Sequence, residues 1–238
     1  MVSAEKPGQI ESAVLGVASA FPCKSFKAWI SAYFRPASAI KESGSLGDAA
    51  KNIAIAGLLV GVVSGIMALV GMSLGGAAAG SMMKGGIGGL IGGGIGFAGG
   101  IVTLVALAVL TPIIYVVMGF VGSAIYFVVA KVLGGKGSYT SQTHILALVM
   151  CGTALLTLPF QVLETIPMVG GIFGLATMLI GLYAFYSEYR AIKEVHKLSQ
   201  IRAIAVVITP IILGALVFML AIMMFTIGYV ASGPVMAY

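Results

Sequence analysis

The segment Ser187–Arg202, SEYRAIKEVHKLSQIR, sets Arg190, Lys193, Lys197 and Arg202 between two long stretches that carry almost no charge. Lys and Arg concentrate in the short cytoplasmic loops of membrane proteins, so this basic segment fixes how the flanking spans are threaded through a bilayer. Charged residues make up only 8% of the 238-residue chain and hydrophobic ones 60%, whereas an ordinary soluble domain is roughly a quarter charged. A soluble fold is excluded. The net charge of +6 reflects basic residues at span ends. It reads as topology and attraction to anionic headgroups, and nucleic acid is not an expected partner. Cys23 and Cys151 lie in a polar leader and an apolar run, which argues against a disulfide. The first twenty residues hold no long apolar stretch with a cleavage site, so no removable signal peptide is expected.

Phe26, Trp29, Ile30, Tyr33 and Phe34 recur at helical spacing, with Lys24, Lys27 and Ser31 on the other side. This predicts an amphipathic helix ending near Pro36. Too short to span, it is expected flat in the interface, with Trp29 and Tyr33 at headgroup depth; a helix packed on the bundle is the alternative. Ser45 and Asp48 have the spacing of a capping pair before the first span, Asn52–Leu74. Residues 85–100 form a Gly-rich segment. Gly88, Gly92, Gly96 and Gly100 fall four residues apart and are expected to allow close helix packing. The segment also contains Gly94-x-Gly96-x-x-Gly99, a dinucleotide fingerprint that carries meaning only after a strand in a βαβ unit.

The apolar run through Val132 is read as one long or kinked second span ending at Lys131. The Gly-rich part then packs on the bundle at its outer end or is partly re-entrant. Splitting this run at Pro112 would make six spans and put the Ser187–Arg202 segment outside. Spans three to five are placed at His144–Leu163, Met168–Tyr186 and Ala203–Val230. With five spans, an inside N-terminus and an outside C-terminus, twelve of the 13 Lys and Arg residues lie inside and Lys84 alone outside. The chain is therefore expected to be an all-α polytopic transmembrane bundle. A cytoplasmic leader with an interfacial helix would occupy 1–48 and the membrane domain 49–238.

Few residues invite a chemical role. Gly134-Gly135-Lys136-Gly137-Ser138-Tyr139 lacks the Walker spacing and is read as a plain connecting turn, the alternative being a turn whose Lys136, with Lys131, contacts a lipid phosphate. His144 and His196 have no second ligand at metal spacing, and Glu164 beside Pro167 suggests a surface turn rather than a proton relay. Tyr183, Tyr186, Arg190, Lys193 and Lys197 form a tyrosine and cation stripe. As an aromatic belt it anchors the bundle; as a contact surface, Lys136, Tyr186, Arg190, Lys193 and Lys197 would meet an acidic partner or an anionic headgroup. No catalytic residue, cofactor or metal is expected.

Several pieces in order are similar to the Yip (Ypt-interacting protein) family of five-span membrane proteins. They are Gly134-Gly135-Lys136-Gly137-Ser138-Tyr139, Glu164-Thr165-Ile166-Pro167 with Gly170-Gly171, and Tyr189 with Glu194-Val195-His196-Lys197-Leu198-Ser199 before Arg202-Ala203. The resemblance covers roughly Phe21–Tyr229. It implies a non-enzymatic integral membrane protein associated with trafficking, with other membrane proteins and, by family analogy, with small GTPases. It places eukaryotic members in the Golgi or endoplasmic reticulum and prokaryotic ones in the cell membrane. The short leader and glycine-heavy second region look more like archaeal or bacterial members. The expected role is a membrane scaffold or adaptor. A small transporter or channel built on helices broken at Pro112, Pro159 and Pro210 is the alternative.

Overall fold

In the computed structural model of the chain, residues 24–40, 44–82, 86–166 and 168–231 are described, the surroundings of 24–25, 38, 76–82, 86–92, 225 and 227–231 excepted. Every element among them is helical. Helix α1 (Lys24–Phe34) and the short α2 (Pro36–Ala39) precede α3 (Leu46–Met82), α4 (Gly86–Val132), α5 (Tyr139–Glu164), α6 (Gly170–His196) and α7 (Gln200–Ala231). Helices α3 to α7 are each long and apolar enough to cross a membrane.

Local chemistry sets the helix ends. Ser45 and Asp48 form the expected reciprocal cap of α3: the Ser45 amide and hydroxyl donate to Asp48 Oδ2 at 3.0 and 2.8 Å, and the Asp48 amide donates to Ser45 Oγ at 3.1 Å. Ser138 Oγ accepts the Ser141 amide at 3.2 Å and starts α5. Helix α6 stops at Lys197, whose φ of 54° is left-handed and whose amide donates to the Lys193 carbonyl. Holding a non-glycine residue there costs about 1–2 kcal/mol, partly offset by the greater freedom that glycine gives the unfolded chain. Lys197→Gly is therefore expected to stabilise the fold by about 0.5–1 kcal/mol, read by thermal unfolding in detergent.

Helix α5 is the centre of the bundle and touches α1, α3, α4 and α6. It runs alongside α3: Ile53 clusters with Ala147, while Ala56 and Val60 cluster with Leu148, Cys151 and Ala154. Continued outward, that alignment sets Glu164, the last residue of α5, level with about residue 70 of α3. Helix α3 then runs on for roughly 18 Å at 1.5 Å per residue, paired with the first part of α4. The 47 residues of α4 amount to about 70 Å, more than twice a hydrocarbon core of roughly 30 Å. The Gly-rich segment from Gly86 onward is part of this continuous helix, so it is not a re-entrant loop.

Three expectations change. Pro112, Pro159 and Pro210 lie inside unbroken helices; neighbouring groups can accommodate a missing amide in a membrane helix. The span ending at Tyr186 continues as helix to His196, leaving only Lys197–Ser199 as the connection to α7. Trp29 and Tyr33, expected at headgroup depth, are 0% and 2% exposed inside the bundle, which is the packed alternative. Trp29 Nε1 donates to Asn52 Oδ1 at 3.0 Å and the Tyr33 hydroxyl to the Ile180 carbonyl at 2.6 Å. Gly152 of α5 admits them, since a Cβ there would sit 2.6 Å from the Trp29 carbonyl oxygen. An amphipathic pattern demands that one face be covered without saying by what. Once both aromatic polar tips find protein partners, the interface holds no advantage for them.

Helix α7 packs on α4 and α6, with Ala203, Val206 and Val207 buried. Past Pro210 it leaves the other helices, and residues 211–224 are exposed on every side.

Candidate functional site

The charged ends of α4 and α6 and the starts of α5 and α7 gather at one end of the bundle. There Tyr183, Tyr186 and Tyr189 form a ladder along α6, with successive ring centroids 5.7 and 6.2 Å apart. The Arg190 guanidinium lies 5.9 Å from the Tyr186 ring centroid, a cation–π contact that holds the cation against the helix. Beside the ladder a groove of about 480 Å³ is lined by Tyr186, Tyr189, Arg190, Lys193, Glu194 and Gln200. Three of the residues singled out from sequence, Tyr186, Arg190 and Lys193, therefore share one recess. Tyr189, Glu194 and Gln200 join them because α6 stays helical past Tyr186 and α7 begins immediately after the turn. Lys136 and Lys197 lie at the same end and are exposed, but neither lines the groove.

A buried polar network stands near this surface. Gln142 Nε2 donates to the Ser123 carbonyl at 2.7 Å, which orients its Oε1 toward His196 Nε2 at 2.6 Å. His196 Nε2 must then carry the proton, leaving Nδ1 as an acceptor without a hydrogen-bond partner among the described residues. Ser123 and Thr143 hydroxyls lie 2.7 Å apart in the same core. The turn after α4 closes over His196. The Lys136 amide donates to the His196 carbonyl at 3.1 Å, Gly134 takes a φ of 86°, and a Cβ on Gly135 would stand 2.6 Å from His196 Nδ1. Gly137 meets Val195 in the same way, at 2.6 Å from Cγ1. The Gly134–Tyr139 and Glu194–Ser199 motifs, far apart in sequence, are thus one packed structure. Among the described residues no group of His, Cys, Asp and Glu could hold a metal ion.

Two features escaped the reading of the sequence. One is Glu188, which accepts a 2.8 Å hydrogen bond from the Tyr126 hydroxyl. It passed as part of a charged loop, although its place two residues after Tyr186 in an apolar helix was a visible signal. Glu164, the carboxylate that was weighed instead, is half-buried and accepts from the Thr177 hydroxyl. The other is the stripe Gly57, Gly61 and Gly65 of α3, three glycines spaced four residues apart. A Cβ on Gly57 would stand 2.7 Å from Pro112 Cα, one on Gly65 2.8 Å from Leu104 Cα, and one on Gly61 would fall on the Leu107 carbonyl oxygen. Gly100 faces Leu69 Cα at 2.7 Å on the same seam. Gly96 is half-buried, and the surroundings of Gly88 and Gly92 lie outside the described residues.

Five charge-poor helices around a buried polar network, with a recessed basic surface at one end, define a polytopic α-helical integral membrane protein. The chain matches the Yip1 domain over residues 30–222 and belongs to that family. No curated protein and no solved structure matches it.

Proposed function

We propose that this Yip-family protein is a non-enzymatic membrane scaffold or adaptor that recruits a partner with an acidic surface at its basic end. By the excess of Lys and Arg that end is cytoplasmic, with the N-terminus inside and the C-terminus outside. The observation that carries the reading is the groove lined by Tyr186, Tyr189, Arg190 and Lys193. Rigid aromatic walls and the Arg190 cation held against Tyr186 suit an acidic segment, because aromatic residues and Arg supply contact at low entropic cost. Lys136 and Lys197 extend the positive field around it and draw anionic headgroups to the same face. A small GTPase as the partner rests on family analogy. The transporter alternative drew on broken helices, and the unbroken course of α4, α5 and α7 through their prolines favours the scaffold.

The test is a mild-detergent pull-down from the native membrane with mass spectrometry and native sizing. The wild type is expected to retain stoichiometric partners. Reversing Arg190 and Lys193 to Glu is expected to weaken their binding tenfold or more, by placing like charges against the partner. Partner recovery unchanged by the reversal would remove the groove from the mechanism. A lone homo-oligomer would shift weight to transport and make liposome flux the next assay.

A further inference from the structure

We infer that a cavity beside Gly122, on the opposite face of α6 from the groove and at about its level, binds a neutral lipid through a free hydroxyl head. The cavity has a volume of about 170 Å³, close to the roughly 150 Å³ that accommodates a benzene-sized guest. Leu146, Ala147 and Met150 of α5 line one side, Gly119 and Gly122 of α4 another, and Glu188 of α6 closes it. Met118 at its rim is 63% exposed, so the opening is lateral, toward the acyl chains. Glu188 stands between Tyr186 and Arg190 of the groove but on the opposite face of α6, so its carboxylate lies at the edge of the bilayer, where the polar end of a lipid is found.

The polar groups define what fits. Tyr126 donates to Glu188 Oε2, and no donor among the described residues reaches Oε1. The Ser123 hydroxyl is already engaged with Thr143 and Gln142. With Glu188 ionised, the unfilled capacity is for accepting hydrogen bonds, and the ligand must donate. A hydrated metal ion would lose its shell against Ile53, Met118 and Leu146, and a phosphate would meet the carboxylate. A hydroxyl carried on an apolar chain meets both demands: it donates to Glu188 and lays its carbons along the apolar lining. The space was made by omission, since a Cβ on Gly122 would have nothing within 4 Å.

Native mass spectrometry of the full chain in detergent tests this with 1,2-dioleoylglycerol and its 3-acetyl ester, in which the donor hydroxyl is replaced by an acetyl ester that can only accept. The wild type is expected to retain the free alcohol about tenfold better, the value of one hydrogen bond to a charged group. Gly122→Leu, which fills the open space, and Glu188→Leu, which removes the acceptor, are each expected to erase that preference. Should Glu188→Leu fail to fold because Tyr126 loses its partner, Gly122→Leu decides alone, since it leaves the pair intact. Oleyl alcohol separates the possible sources. Its retention alongside dioleoylglycerol supports a hydroxyl on any chain, and retention of dioleoylglycerol alone supports a glycerolipid. Equal retention of the alcohol and its ester, or a preference that survives Gly122→Leu, overturns the assignment. Both results are independent of partner recovery at the groove.

Discussion

Gly61→Leu is expected to destabilise the protein by about 3 kcal/mol and to separate α3 from α4. At this position a Cβ falls on the Leu107 carbonyl oxygen, with the Thr111 Cβ 3.0 Å away. The obstacle is helix backbone, which cannot rotate aside as a side-chain tip can. The whole α3–α4 pairing would have to open, and it is the most extensive helix pairing among the described residues. In a membrane such pairing depends on close backbone approach, because lipid tails cover apolar side chains as well as another helix does. Gly71→Leu is the control. It lies on the same helix with nothing within 4 Å of its Cβ position, so it is expected to change stability by about 0.5 kcal/mol or less. Thermal unfolding in detergent with both variants reads the difference. Equal tolerance of Leu at Gly61 and Gly71 would show that the seam does not hold the pair together.

Trp29→Ala carries the second large effect, an expected loss of about 3–5 kcal/mol. The indole is fully buried among α1, α3 and α5. Its loss would empty that volume and leave the Asn52 amide oxygen without its donor. An aromatic ring lying among headgroups would cost far less to remove. Because Trp29 is the only tryptophan, its fluorescence gives an independent reading in the intact protein. Emission is expected to be blue-shifted and resistant both to iodide in water and to brominated lipid. Strong quenching by brominated lipid would return α1 to the membrane surface.

Much of the architecture is readable from residue types alone. The five spans, the cap at Ser45 and Asp48, and the collection of basic residues at one end all follow from hydropathy and charge. The family motifs were legible too, as an order of pieces. Why they recur together was not. Gly135 and Gly137 are small because His196 and Val195 lie against them, a contact across about sixty residues of chain. Glycine density pointed to residues 85–100, yet the stripe at Gly57, Gly61 and Gly65 contributes three of the observed close approaches. Density is a property of one helix. A close approach requires the register of two.

The same limit explains α6. Its charged residues suggested a loop after Tyr186, but the helix continues to His196, and Tyr126, on another helix, donates the hydrogen bond that the Glu188 carboxylate accepts there. Sequence by itself determined how many times the chain is built to cross a membrane and which end of the bundle is basic, since each residue's affinity for water, lipid or headgroup is its own property. Tertiary structure alone decided that α1 is covered by protein, that Tyr186, Arg190 and Lys193 share a groove with Gln200, and that a carboxylate faces a cavity beside Gly122. Those outcomes depend on which residues of separate helices come to the same height and face, and helix pairing sets that register.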